Sequence, residues 1–193
     1  MAYCSRFAAR VLFAASLMAC VCTSSVSHAQ ATSSTEKSTT SPADTKKEAT
    51  WLEELTDVAI PKTKATGKIH GNAFTIQRAE IQQGTLTMRQ GSGFFADLEW
   101  KLFLFAPEIS RLEGHFLNID TEDTEAVKNM PHVYMSWKEG GKDLPKTKTW
   151  TGGYVIQLRF GHVTNGKLPG EIYLCVPDMK RSFVAGTFEA TIK

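Results

Sequence analysis

From residue 65 to the C-terminus, apolar side chains recur at every second position, the periodicity of β-strands with one buried face. Leu98, Trp100, Leu102 and Leu104 alternate with Glu99, Lys101, Phe103 and Phe105. Tyr154, Ile156, Leu158 and Phe160 alternate with Val155, Gln157 and Arg159, and Val184 to Ile192 alternates with Phe183 to Thr191. Shorter runs at 65–70, 74–82, 85–89, 114–119, 133–138 and 172–176 bring the expected number of strands to about nine. Gln83-Gly84, Gly140-Gly141, Asn165-Gly166 and Pro169-Gly170 carry turn chemistry between them. Helical signals are few. Thr50 and Glu53 make a capping-box pattern ahead of Trp51, Leu52 and Leu55, and a second short helix is expected from Thr121 to Met130, stopped by Pro131. Short strands with so little helix predict an all-β fold, an antiparallel β-sandwich of about nine strands with one or two short helices. Parity puts Trp100 in the core. It also makes the end of the 98–105 strand apolar on both sides, and the Trp51–Leu55 turn is expected to cover Phe103 and Phe105 there.

The first fifty residues follow another logic. Arg6 and Arg10 precede a twelve-residue stretch, Val11 to Cys22, apolar except for Ser16 and too short for a bilayer span of about 20, and the small residues Ser27 and Ala29 follow. That order predicts a secretory signal over 1–29 and an exported protein, periplasmic or extracellular. Leu17-Met18-Ala19-Cys20 offers the alternative of a lipobox, with Cys20 lipidated and the chain anchored through it. Cleavage after Ala29 removes Cys4, Cys20 and Cys22 and leaves Cys175, so the mature domain is expected to be held by its core rather than by disulfides. Residues 30–50 contain ten Ser or Thr and no aromatic, Val, Ile or Leu, a composition that cannot offset ordering entropy. They are expected to form a Ser/Thr-rich spacer, with the folded domain over 51–193.

Charge narrows the function. The 193 residues carry 22 Lys and Arg against 20 Asp and Glu, and the two surplus cations are Arg6 and Arg10, so the chain beyond residue 29 is neutral. Without a basic face it lacks the electrostatic footprint of a nucleic-acid binder. His70, His115, His132 and His162 are scattered, no phosphate or dinucleotide fingerprint occurs, and Gly91-Ser92-Gly93 reads as a turn rather than a nucleophile elbow, so no metal or cofactor is expected. The acids Asp120, Glu122, Asp123 and Glu125 suit the first turn of the 121–130 helix better than a calcium loop. Asp97 and Glu99, two apart on a strand, would leave one face about 6 to 7 Å apart, a spacing a glycan hydrolase can use. Lys101 and Phe103 at the next places favour a solvated strand face instead. The same parity turns Tyr134, Gln157, Arg159 and Tyr173 outward, and aromatic rings beside Gln and Arg are a surface on which sugars stack and hydrogen-bond.

Trp51, Ile60-Pro61, Gly67 to Gly71 with Phe74, Leu86 to Gly91 (LTMRQG), Gly170 to Asp178 (GEIYLCVPD) and Ser182 to Ala190 (SFVAGTFEA) resemble the pattern of a family of uncharacterised exported bacterial proteins. The resemblance spans about residues 51–193. It implies an exported bacterial domain with the spacer outside the shared region and assigns a role to no residue. The expectation is therefore a non-catalytic binding or structural module of the cell envelope whose partner is a polysaccharide or a protein, with an envelope glycan hydrolase using Asp97 and Glu99 as the alternative.

Overall fold

The computed structural model describes residues 51, 55, 59–121 and 130–193. The signal, the spacer, most of the 50–55 turn and the 121–130 helix with Glu122, Asp123 and Glu125 lie outside the described residues. Among the described residues eleven strands follow in order: β1 (Thr66–Ile69), β2 (Asn72–Thr75), β3 (Arg78–Gln82), β4 (Thr85–Gln90), β5 (Leu98–Phe103), β6 (Phe116–Ile119), β7 (His132–Trp137), β8 (Lys146–Trp150), β9 (Val155–Phe160), β10 (Lys167–Cys175) and β11 (Phe183–Ile192). A 3₁₀ turn at Ile109–Arg111 precedes β6.

The fold is all-β, as the two-residue period predicts. Its strands hydrogen-bond along one path, β6-β9-β10-β11-β3-β4-β5-β7-β8, rather than in two separate sheets. One pairing, β11 with β3, is parallel, and β1 adds to β11 with β2 on its far side. Every strand places at least one residue in a single hydrophobic cluster, including Ile119 from β6 and Trp150 from β8 at the two ends of that path. A flat sheet could not bring its two outermost strands to one core. The right-handed twist of strands curls this one until its inner face encloses the apolar set.

The parity reading holds along the long strands: Leu98, Trp100 and Leu102 on β5, Ile156 and Leu158 on β9, and Val184, Phe188 and Ala190 on β11 are all buried inside. Three elements differ from expectation. The 74–82 run divides at Ile76-Gln77 into β2 and β3. Strand β8 carried no sequence signal because Lys146 to Thr149 are all exposed; it is an edge strand whose lysines keep that edge from pairing further. Pro169 and Gly170 lie inside β10 rather than in a turn, opposite Glu189 and Phe188 of β11. Proline fits there because β9 pairs with β10 only from Gly170 onward, so the missing N–H leaves no ladder bond unmade.

Strand β11 changes partner along one edge. Phe183 to Ala185 pair with β1, Thr187 bridges Lys64, and Ala190 to Ile192 pair with β3. Gly186 stands at the crossing with a φ of +135°, and a Cβ there would come within 2.6 Å of the Thr63 carbonyl oxygen. Only glycine admits both that backbone and that approach.

Two buried polar groups in the core behave differently. The Trp100 side chain is fully enclosed and its indole Nε1 has no hydrogen-bond partner among the described residues. Trp100→Ala is expected to destabilise the domain by roughly 3 to 5 kcal/mol. Trp100→Phe, which also removes an unsatisfied donor, should cost far less, and urea unfolding of both variants checks the contrast. The Tyr154 hydroxyl, by contrast, donates to the Pro131 carbonyl, and burial pushes its pKa well above the ordinary 10.0. The unfolded chain ionises near that ordinary value while the native one keeps its proton. Tyr154 thus contributes its full stabilisation below pH 10 and loses it as pH rises above that, by at most about 1.4 kcal/mol per pH unit. Tyr154→Phe should cost about 1 to 2 kcal/mol at neutral pH, with the gap to the parent narrowing in melts at alkaline pH.

Candidate functional site

Of the four side chains that parity turned outward, the structure separates Tyr134 from the other three, Tyr173 standing opposite Gln157 across β9 and β10. Tyr134 lies on the outer face of β7, half-buried, with the Lys101 ammonium 5.4 Å from its ring centroid. Four strands, β11, β3, β4 and β5, stand between β7 and β10. On a curled sheet their outer faces diverge, so Tyr134 shares no surface with the others. Tyr173 does point to the outer face, but it is 1% exposed, in a second apolar cluster with Val155, Cys175, Phe183 and Ala185. Trp51, Leu55 and Ile60 cover this cluster, and the Trp51 indole donates to the Val176 carbonyl at 3.1 Å. The N-terminal segment therefore straps the outside of β9 to β11. It does not shield Phe103 and Phe105, which stay 36% and 52% exposed. Strand parity tells inside from outside but not whether another segment lies on the outside, so Tyr173 faces outward as expected and is nonetheless buried.

Gln157 and Arg159 remain together. Pairing of β6 with β9 sets Asn118 opposite Gln157 and Phe116 opposite Arg159. The Arg159 guanidinium lies 5.1 Å from the Phe116 ring centroid, an exposed cation–π stack. Beside them a hollow of about 380 Å³ runs between Phe116, Gln157, Arg159, Glu171 and Ile60, closed on one side by the Lys62–Glu171 ion pair. Arg159 and Glu171 also line a larger trough of about 750 Å³, which continues past Lys64, Arg78, Lys167, Phe188 and Glu189.

The larger trough exists because of the partner exchange on β11. Between Thr187, opposite Lys64, and Ala190, opposite Ala79, no strand follows the edge of Phe188 and Glu189. Gly170 faces Phe188 across the ladder, and a Cβ on it would fall 2.4 Å from the phenyl Cζ, so the missing side chain is where the ring lies. Phe160 packs edge-on to Phe188 at 6.0 Å. Around this apolar floor, Lys64, Arg78, Arg159 and Lys167 stand against Glu171 and Glu189, with Lys167 and Glu189 paired at 3.0 Å. An apolar floor with a charged, hydrogen-bonding rim is the usual chemistry of a ligand groove. Phe116, Glu171, Lys64 and Phe188 were not singled out in the sequence. Only the β6–β9 register makes Phe116 Arg159's neighbour.

The remaining candidates are engaged elsewhere. Asp97 lies just before β5 and pairs with Lys138 at 3.0 Å. Glu99 is 8% exposed, with Arg89 at 3.2 Å and Lys101 at 3.1 Å. The hollow beside Asp97 is lined by Asn72, Gln90, Lys138 and Asp143 and does not include Glu99. Asp120 accepts from the Leu55 and Thr121 backbone N–H groups, which ties the strap to the end of β6. Among the described residues, no three His, Cys, Asp or Glu side chains are grouped to hold a metal ion, and no helix is long and apolar enough to cross a membrane.

No protein-family model matches the chain, and no curated protein and no solved structure matches it either. The trough therefore has to be read from its own chemistry.

The strap gives a direct check on the outer cluster. Trp51→Ala should loosen the cover by about 1 to 2 kcal/mol, and alkylation of Cys175, followed by peptide mass mapping, should speed up roughly tenfold as local opening becomes easier. An unchanged rate would mean that the strap does not guard the cluster.

Proposed function

We propose that the protein is an exported, non-catalytic binding module of the bacterial cell envelope, and that the outer-face trough is where it holds an extended polysaccharide. The observation that carries this reading is Arg159, stacked on Phe116 and shared by both hollows. It joins them into one elongated track across β6, β9, β10 and β11. A pyranose ring presents an apolar C–H face and a rim of hydroxyls. Phe116 offers an exposed face for the first, and Gln157, Arg159 and Glu171 offer donors and acceptors for the second. Glu171 and Glu189 are ion-paired with Lys62 and Lys167, an arrangement suited to holding hydroxyls in place. Export rests on the N-terminal order of Arg6 and Arg10, an apolar core and small residues, with lipidation at Cys20 as the alternative mode of attachment.

A glycan array probed with the full chain, followed by titration of the best oligosaccharide, tests the reading. Phe116→Ala and Arg159→Ala should each weaken binding by about 1 to 2 kcal/mol, the scale of a lost aromatic or cation–π contact. Both should leave the melting temperature nearly unchanged, and Tyr134→Ala should bind as the parent does. Retention of no glycan, or undiminished binding by Phe116→Ala, would remove the proposal.

A further inference from the structure

The end of the sheet where β4, β7, β10 and β1 finish carries apolar side chains on three loop tips. The 91–97 loop between β4 and β5 presents Phe94, 91% exposed, and Phe95, 40% exposed, packed edge-on at 4.9 Å. The loop after β7 presents Leu144 at 71%, and the loop between β10 and β11 presents Met179 at 97%. The three tips belong to one end. His70, after β1, stacks on Trp137 at the end of β7 at 4.2 Å; Lys138 pairs with Asp97 in the Phe94 loop; and Lys180 lies against Gly71.

Two of these tips are built rather than slack. Arg89 Nη2 donates to the carbonyls of Gly93 and Phe94 at 3.3 and 3.0 Å, and the Asp97 N–H closes the loop on the Gln90 carbonyl at 2.9 Å. Asp178 accepts from the Ser182 N–H and hydroxyl, both at 2.6 Å, and the Ser182 hydroxyl in turn accepts from the His70 N–H. Side chains held outward by such bonds pay little further ordering entropy on meeting a partner.

Charge identifies that partner. Asp97 is neutralised by Lys138 and Glu139 by Lys146. That leaves Lys142, Lys180 and Arg181 against Asp143 and Asp178, a surplus of one cation beside the apolar tips. Trp51 bonds to Val176 and lies 5.4 Å from the Arg181 guanidinium, at this same end. We infer that this end docks on a bilayer surface with anionic headgroups, with Phe94 and Phe95 entering the interface and Lys142, Lys180 and Arg181 meeting phosphates. Separate protruding apolar tips among lysines suit a lipid interface, which accepts each independently. A protein partner would need a shaped recess for every one. The inference does not rest on the trough, which is lined by β9, β10, β11 and the start of β3 and includes none of Phe94, Phe95, Leu144 and Met179.

The test uses the full chain with vesicles of phosphatidylcholine, alone or with about a third phosphatidylglycerol. Phe94→Trp should gain fluorescence that brominated lipids quench, whereas Phe103→Trp, at the other end, should not. This comparison reports orientation even where the N-terminal segment contributes to attachment. Phe94→Ser with Phe95→Ser should bind anionic vesicles at least about tenfold more weakly with an unchanged melting temperature. Lys142→Glu with Lys180→Glu should erase the preference for anionic over neutral vesicles. Absence of quenching at Phe94→Trp, equal quenching at Phe103→Trp, or vesicle binding untouched by the double serine variant would overturn the inference. Self-association abolished by the serine variant without any vesicle binding would equally overturn it, by making the tips a contact between proteins.

Discussion

One edge of β11 has to serve β1, the 63–64 segment and β3 in turn, and much of the molecule follows from how it does so. The exchange requires backbone to press on backbone at Gly186, where a Cβ would meet the Thr63 carbonyl and the Ala65 Cα. With that approach made, β1 and β2 lie on the first half of β11, and β3 enters in parallel beside the last three residues. The interval between them has no strand. It becomes the trough, and the side chain that fills its floor, Phe188, is accommodated because Gly170 opposite has none. A hydrogen-bonding requirement of the backbone and a ligand-sized recess thus have the same cause.

The curl of the sheet explains how the outer face is divided. A single sheet wrapped around its apolar side needs no second sheet to bury it, so its outer face is available for other uses. Near the start of β9 that face is apolar and Trp51, Leu55 and Ile60 cover it, with Tyr173 and Cys175 beneath. Near the end of β9 it turns to Gln157, Arg159 and Glu171 and stays open. On the far strands β4, β5 and β7 it carries Arg89, Glu99 and Lys101 in one ion-pair network. There the two acids offered as an alternative catalytic pair are each ion-paired, Glu99 with Arg89 and Lys101 and Asp97 with Lys138.

The loop tips and the trough differ in kind. Beside the tips, Glu139 is held below the ordinary carboxylate pKa by the hydrogen bond from Lys146 and then by that from the Trp137 indole. It joins those two side chains and His70 into one corner. The trough is lined instead by β9, β10, β11 and the start of β3, with Phe188 at its floor.

Much of this architecture was legible in the chain itself. Alternation is a local property, since successive side chains leave a strand on opposite faces, so the burial of Trp100, Ile156, Leu158 and Val184 could be read residue by residue, as could the turns at Gln83-Gly84 and Asn165-Gly166. The sequence could not say which strands are neighbours, because hydrogen-bonding partners far apart in the chain leave no periodic trace. Arg159 could therefore be turned outward without Phe116 being found as its neighbour, and Tyr134 was set beside Tyr173 although four strands part them. Nor could the sequence see the strap over Tyr173, the ladder continuing through Pro169 and Gly170, or the lysine-rich edge strand β8. Each of these depends on what lies against a residue in space, and that is decided only when the sheet curls and its backbone groups find their partners.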